Sequence, residues 1–247
     1  FYSLTPVLLI GASLLFGQSR ALYFALMAIL IFLMIADKAS KQIFLYVILF
    51  MFSFYFVTLL GLEIKGRISY ASFDFFIDHM ISAIPGVTLL NPEVTGPAGS
   101  VNLRLFFWTQ IIERSLTSVK IFLFGQGFGL PLTEFAGGAL SVVAREPHNM
   151  YISIFARLGI VGLLTWIWMH ITFFIAWRKS YKYAVANNLY EKYILLFLLI
   201  YILFALFSSI GGSVLMYPCF TIPYYFFWGV ILRICFNLQI MQNEKNQ

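Results

Sequence analysis

Charge is scarce in this chain: Asp, Glu, Lys and Arg make up 11% of its 247 residues, where a soluble domain carries about a quarter. That shortage excludes a water-soluble enzyme. Intrinsic disorder needs high charge and low hydrophobicity, so it is excluded as well. Cysteine is nearly absent. Cys219 and Cys235 make no disulfide framework and no metal-ligand spacing. If both lie on one helix, sixteen positions at ~1.5 Å each hold them roughly 24 Å apart, beyond disulfide reach. An initiating methionine and a signal-peptide pattern are also missing, so the reading from Phe1 onward expects further spans upstream. What fills the chain is apolar: 61% hydrophobic and 19% aromatic residues describe an integral membrane protein. Its net charge of +6 then bears on topology, not on a nucleic-acid partner.

A membrane-crossing helix needs about 20 mostly apolar residues. The expected fold is all-α, a polytopic helix bundle with spans at roughly 2–17, 21–36, 42–62, 149–177, 193–211 and 218–238. It divides into 1–62 with three spans, a long segment 63–148 carrying surface helices, and 149–247 with three spans and a tail. The connector 178–192 holds Arg178, Lys179, Lys182 and Lys192 against Glu191 alone, and 37–41 holds Lys38 and Lys41. Positive loops stay in the cytoplasm, so Arg20, 63–148 and 211–217 are expected on the outer side.

An outer segment of this length without structure would be unusual, and such segments tend to be functional. Residues 103–124 repeat apolar positions at helical spacing between Arg104, Glu113, Arg114 and Lys120, which suits an amphipathic surface helix. Residues 70–84 suit a second, or a re-entrant segment, and 85–101, rich in Pro and Gly, read as loop. Gly125-Gln126-Gly127-Phe128-Gly129 reads as a flexible turn or a weak phosphate cradle, without the strand–turn–helix context of a nucleotide fingerprint. Arg145-Glu146-Pro147-His148-Asn149 precedes the fourth span, with Pro147 expected in its first turn. A helix start favours the neutral imidazole of His148, which can accept a proton as a general base must. Arg20 and Arg104 fall on the same expected side, and guanidinium forks suit phosphate and pyrophosphate. An interfacial histidine and two snorkelling arginines are the plain alternative.

The stretch 147–164, PHNMYISIFARLGIVGLL, resembles the signature of the O-antigen ligase and polymerase superfamily. So do Arg104-x-x-x-Trp108 followed by Phe124-Gly125-Gln126-Gly127-Phe128-Gly129, and Gly17-Gln18-Ser19-Arg20-Ala21 further back. The motifs are short, but their order matches over roughly residues 10–240. The resemblance implies a metal-independent, cofactor-free glycosyltransferase of the bacterial inner membrane, its site facing the periplasm among membrane lipids. Its donor would be a glycan on undecaprenyl pyrophosphate. A polymerase passes that glycan to another lipid-linked glycan, and a ligase passes it to lipid A–core. By the same resemblance, Arg20 and Arg104 hold the pyrophosphate and His148 deprotonates the acceptor hydroxyl. The Pro-His-Asn form and the compact outer segment favour a polymerase, whose chain-length control would call for a partner protein.

Secondary candidates are Asn149, Arg67, Arg145 and Arg157. Arg67, Arg114 and Arg145 read first as solvated surface charges. Arg157, inside an apolar run, needs a cavity or a partner: either an anionic ligand or an acid such as Asp74 or Asp78. His79 has no evident partner set, and His170 reads as a packing residue. Two other classes stay open. A transporter or lipid-carrier flippase would show internal repeats and midplane charges, which are sparse here. A non-catalytic envelope subunit would leave Arg20, Arg104 and His148 replaceable.

Overall fold

The computed structural model describes residues 20–36, 48, 52, 55–56, 73–82, 92–129, 131–132 and 146–245. Among these every regular element is helical. The expected spans 2–17 and 42–62, and Arg67 and Arg145, lie outside the described residues, except for four positions within 42–62. The chain forms two compact units, Phe1–Phe106 and Phe107–Gln247.

The first unit contains α1 (Arg20–Ala36) and α2 (Phe73–Ile81), which pack on each other. Tyr23, Ala25, Ile29 and Phe75 are buried there. α1 begins where the apolar run after Arg20 begins. α2 matches the helix expected within 70–84.

α3 (Pro92–Leu116) corrects the expectation of a loop over 85–101, because the helix starts eleven residues before 103. Pro92 takes the first helical position, where its missing N–H costs nothing. The downstream half is anchored by buried Phe107, Ile111 and Ser115, spaced four apart on one face. The upstream half is helical despite the poor propensity of Gly96, Pro97 and Gly99. The opposite face, including Phe106, Ile112, Glu113 and Leu116, is exposed. The expected single helix 103–124 breaks at Thr117-Ser118 before α4 (Val119–Phe124).

Among the described residues three helices are long and apolar enough to cross a membrane: α5 (Met150–Ala186), α6 (Glu191–Ser208) and α7 (Pro218–Lys245). A 3-10 turn, Val214–Met216, joins the last two. Each runs longer or shifts slightly against the sequence expectation; α5 extends past 177 to include Arg178, Lys179 and Lys182. Buried residues recur three and four apart on each helix: 170, 173, 177, 180 and 184 on α5, and 224, 228, 231, 235 and 238 on α7. α6 contributes Leu195, Leu198, Leu199, Ile202 and Ala205. Lipid is as apolar as these side chains, so such seams are held by shape and by internal hydrogen bonds. Two such bonds are explicit. Trp177 donates its indole N–H to the Leu195 carbonyl over 3.1 Å. His170 bridges the Trp166 carbonyl at 2.8 Å and the Tyr224 hydroxyl at 2.6 Å, between the rings of Trp166 and Trp228. It is the satisfied packing residue the sequence suggested.

Candidate active site

α5 opens on Asn149, whose extended backbone and side chain cap the helix. Its carboxamide oxygen accepts from the N–H groups of Tyr151 at 2.9 Å and Ile152 at 3.1 Å. Pro147 is therefore not in the first turn but two residues before the cap, and Asn149 does the capping because its side chain satisfies two orphan N–H groups. Replacing Asn149 by Ala should cost about 1 kcal/mol of stability and Asn149→Ser much less, read as thermal unfolding of the detergent-solubilised protein. A Ser variant that is stable yet inactive would show that the carboxamide has a second task.

The start of α5 is tied to the far end of α6, whose last carbonyls lack helical partners. The Met150 N–H donates to Ser209 O over 3.0 Å, and the Tyr151 hydroxyl donates to Leu206 O over 3.0 Å. From the other side, Trp108 donates its indole N–H to the Pro147 carbonyl over 2.7 Å. Between these tethers His148 takes the left-handed backbone, φ 52°, with its side chain exposed. A non-glycine residue in that region is uncommon, although His is enriched there.

Arg157 pairs with Glu146 over 2.6 Å and lies over the Phe128 ring at 5.6 Å. Glu146 thus takes the place of Asp74 or Asp78 as its partner. Only 12% of the Arg157 side chain is exposed, so the ion pair neutralises a cation that would otherwise be costly there.

Gly125 and Gly159 share one unusual backbone conformation, φ 73°, ψ −176° and φ 67°, ψ −170°, a region almost confined to glycine. Gly159 interrupts α5. The carbonyls of Ala156 and Arg157, freed by that break, accept from the N–H groups of Gln126 and Gly127 at 2.9 Å each. A Cβ on Gly125 would overlap the backbone of Arg157 and Leu158, and one on Gly159 would overlap that of Leu123 and Phe124. The Gly-x-Gly run is therefore neither a flexible turn nor a phosphate cradle. It is half of a backbone clasp that docks α4 against the break, beside the buried cluster of Phe107, Ile111, Leu132 and Ala156.

Trp108, the Gly-x-Gly run and the His148-Asn149 pair now have a structural place, and one comparison decides what they belong to. A family model described as O-antigen ligase matches residues 5–167. The chain belongs to the O-antigen ligase family. No curated protein and no solved structure matches it. Family membership and the three apolar helices make it a membrane protein of the ligase and polymerase type, with glycosyl transfer as its general activity.

In this family member the unit Phe107–Gln247 brings together Trp108, Glu146, His148, Asn149 and Arg157. Arg104 stands one turn before Trp108 on α3, half-buried, and loss of hydration pushes its pKa below the ordinary arginine value. A guanidinium short of water gains more from an anion than a fully solvated one does. Arg20 is the first residue of α1, its side chain outside the described set. The sequence pointed to none of three features: Glu146 as the partner of Arg157, Trp108 as a tether of Pro147, and the break at Gly159. An acid just before a helix, with a cation in the helix's third turn, was the available signal for the first.

Proposed function

We propose that this chain is a glycosyltransferase that moves a glycan from undecaprenyl pyrophosphate to a sugar hydroxyl on another lipid-linked glycan, a surface-polysaccharide polymerase of the bacterial inner membrane. His148 acts as general base on the periplasmic side. The acceptor oxygen attacks the anomeric carbon, its proton passes to the imidazole, and the bond to the pyrophosphate breaks. Arg20 and Arg104 take up the charge that grows on the departing pyrophosphate, which lets the reaction run without a metal. The observation that carries this reading is the exposed imidazole of His148, presented from a backbone held on both sides. The family's description favours a second reading, a ligase that delivers the glycan to lipid A–core.

The test is His148→Ala in cells lacking the native protein, with membrane insertion checked and surface glycans run on a gel. Loss of a general base should lower transfer by about 10²–10⁴-fold. A wild-type ladder from a normally inserted variant would defeat the assignment. A single repeat left on lipid A–core marks a polymerase. Long chains kept on undecaprenyl pyrophosphate beside bare core mark a ligase.

A further inference from the structure

The left-handed turn at His148 needs something to hold it, since a residue with a Cβ does not rest there by preference. Two peptide planes flank the residue, and together they fix its φ, its ψ and the direction of its Cα–Cβ bond. The plane after His148 runs into Asn149, whose side chain caps α5 and whose carbonyl accepts from Ser153 N at 3.0 Å. The plane before it contains the Pro147 carbonyl, which receives the Trp108 indole N–H at 2.7 Å from 39 residues away. Trp108 itself sits between buried Phe107 and Ile111 on α3, so the donor is anchored in packed structure.

We propose that Trp108 is a positioning residue for His148, its indole N–H on the Pro147 carbonyl holding the peptide plane that aims the imidazole. This rests on His148 being the base. Without that hydrogen bond the plane can rotate toward ordinary backbone geometry, which swings the Cβ away. Misplacement of a reacting group by about 1 Å can lower a rate about 10²-fold. Trp108 acts through His148 and touches no substrate, so donor binding should be unaffected.

Trp108→Phe keeps the ring and removes the N–H. In membrane vesicles supplied with the host's own radiolabelled lipid-linked repeat units, it should lower kcat by about tenfold or more and leave KM for the donor unchanged. On a His148→Ala background the same change should add no further loss, because the group being aimed is gone. A role confined to packing would still lower the residual rate of that background. If Trp108→Phe accumulates poorly, a benzothienylalanine at 108, with sulfur in place of the N–H and the bicyclic shape kept, takes its place. Wild-type kcat in either variant, a change in KM alone, or additive losses on the His148→Ala background would overturn the positioning role while His148 stands. Wild-type kcat in His148→Ala would instead remove the base assignment, and this inference with it.

Discussion

Gly159→Ala should leave little folded protein in the membrane, while Gly127→Ala should accumulate at close to the normal level. Both glycines have positive φ, 67° and 83°. An added Cβ at 127 meets nothing within 4 Å, so its cost is the backbone penalty alone, about 1–2 kcal/mol. At 159 the same penalty applies, and the new atom also overlaps main-chain atoms of Leu123 and Phe124, which cannot turn aside as a side chain can. Relief requires α4 to move off α5. That would strand the carbonyls of Ala156 and Arg157. Together these costs should reach about 4 kcal/mol or more, a large share of the 5–15 kcal/mol that typically separates folded from unfolded protein. Gly125→Ala should behave like Gly159→Ala, since its Cβ meets the backbone of Arg157 and Leu158. Size-exclusion profiles of fluorescently tagged variants check the order. Equal yields of the 127 and 159 variants would contradict the clasp.

Glu146→Ala should destabilise the protein more than Arg157→Met, and the double variant should recover most of the loss. Removing Glu146 leaves a guanidinium that is 12% exposed without its counter-ion, and cations in that state are expensive. Removing Arg157 leaves Glu146, 29% exposed, which can turn toward water. A fully buried pair broken from one side costs about 3–5 kcal/mol, and the partial exposure here brings the expected value for Glu146→Ala to about 2 kcal/mol. Arg157→Met keeps an unbranched stem against Phe128 and should cost under about 1 kcal/mol. Melting temperatures in detergent for the two single variants and the double one give the coupling directly. Equal losses from both single changes, or no recovery in the double, would mean that Arg157 is not held by Glu146.

What the sequence made legible was whatever depends on composition and local pattern. The apolar runs located α5, α6 and α7 to within several residues, because twenty or so uncharged positions leave little choice of structure. The amphipathic face of α3 was visible in the spacing of Phe107 and Ile111. His148 and Asn149 stood out beside a helix start. Pairings between distant residues were hidden. Gly159 sits in an apolar run that reads as uninterrupted helix, and its reason lies 34 positions away at Gly125. The Gly-x-Gly run has the same look whether it holds a phosphate or another stretch of backbone. Trp108 resembles any interfacial tryptophan until its indole is seen on the Pro147 carbonyl. The helical course of 92–101 was hidden because Gly96, Pro97 and Gly99 argue locally against a helix.

The break at Gly159 also divides labour within α5. Beyond it, residues 160–186 have enough length, about 40 Å, to serve as an anchor packed along one face against α6 and α7. Before it, residues 150–158 form a short stub gripped by α4, through the clasp and through Phe122 against Phe155. The stub is thus steered from the side by a neighbouring element as well as from below by the anchor. A sideways tug on α4 would reach the stub through the clasp and would work against the ties that hold Met150 and Tyr151 to the end of α6.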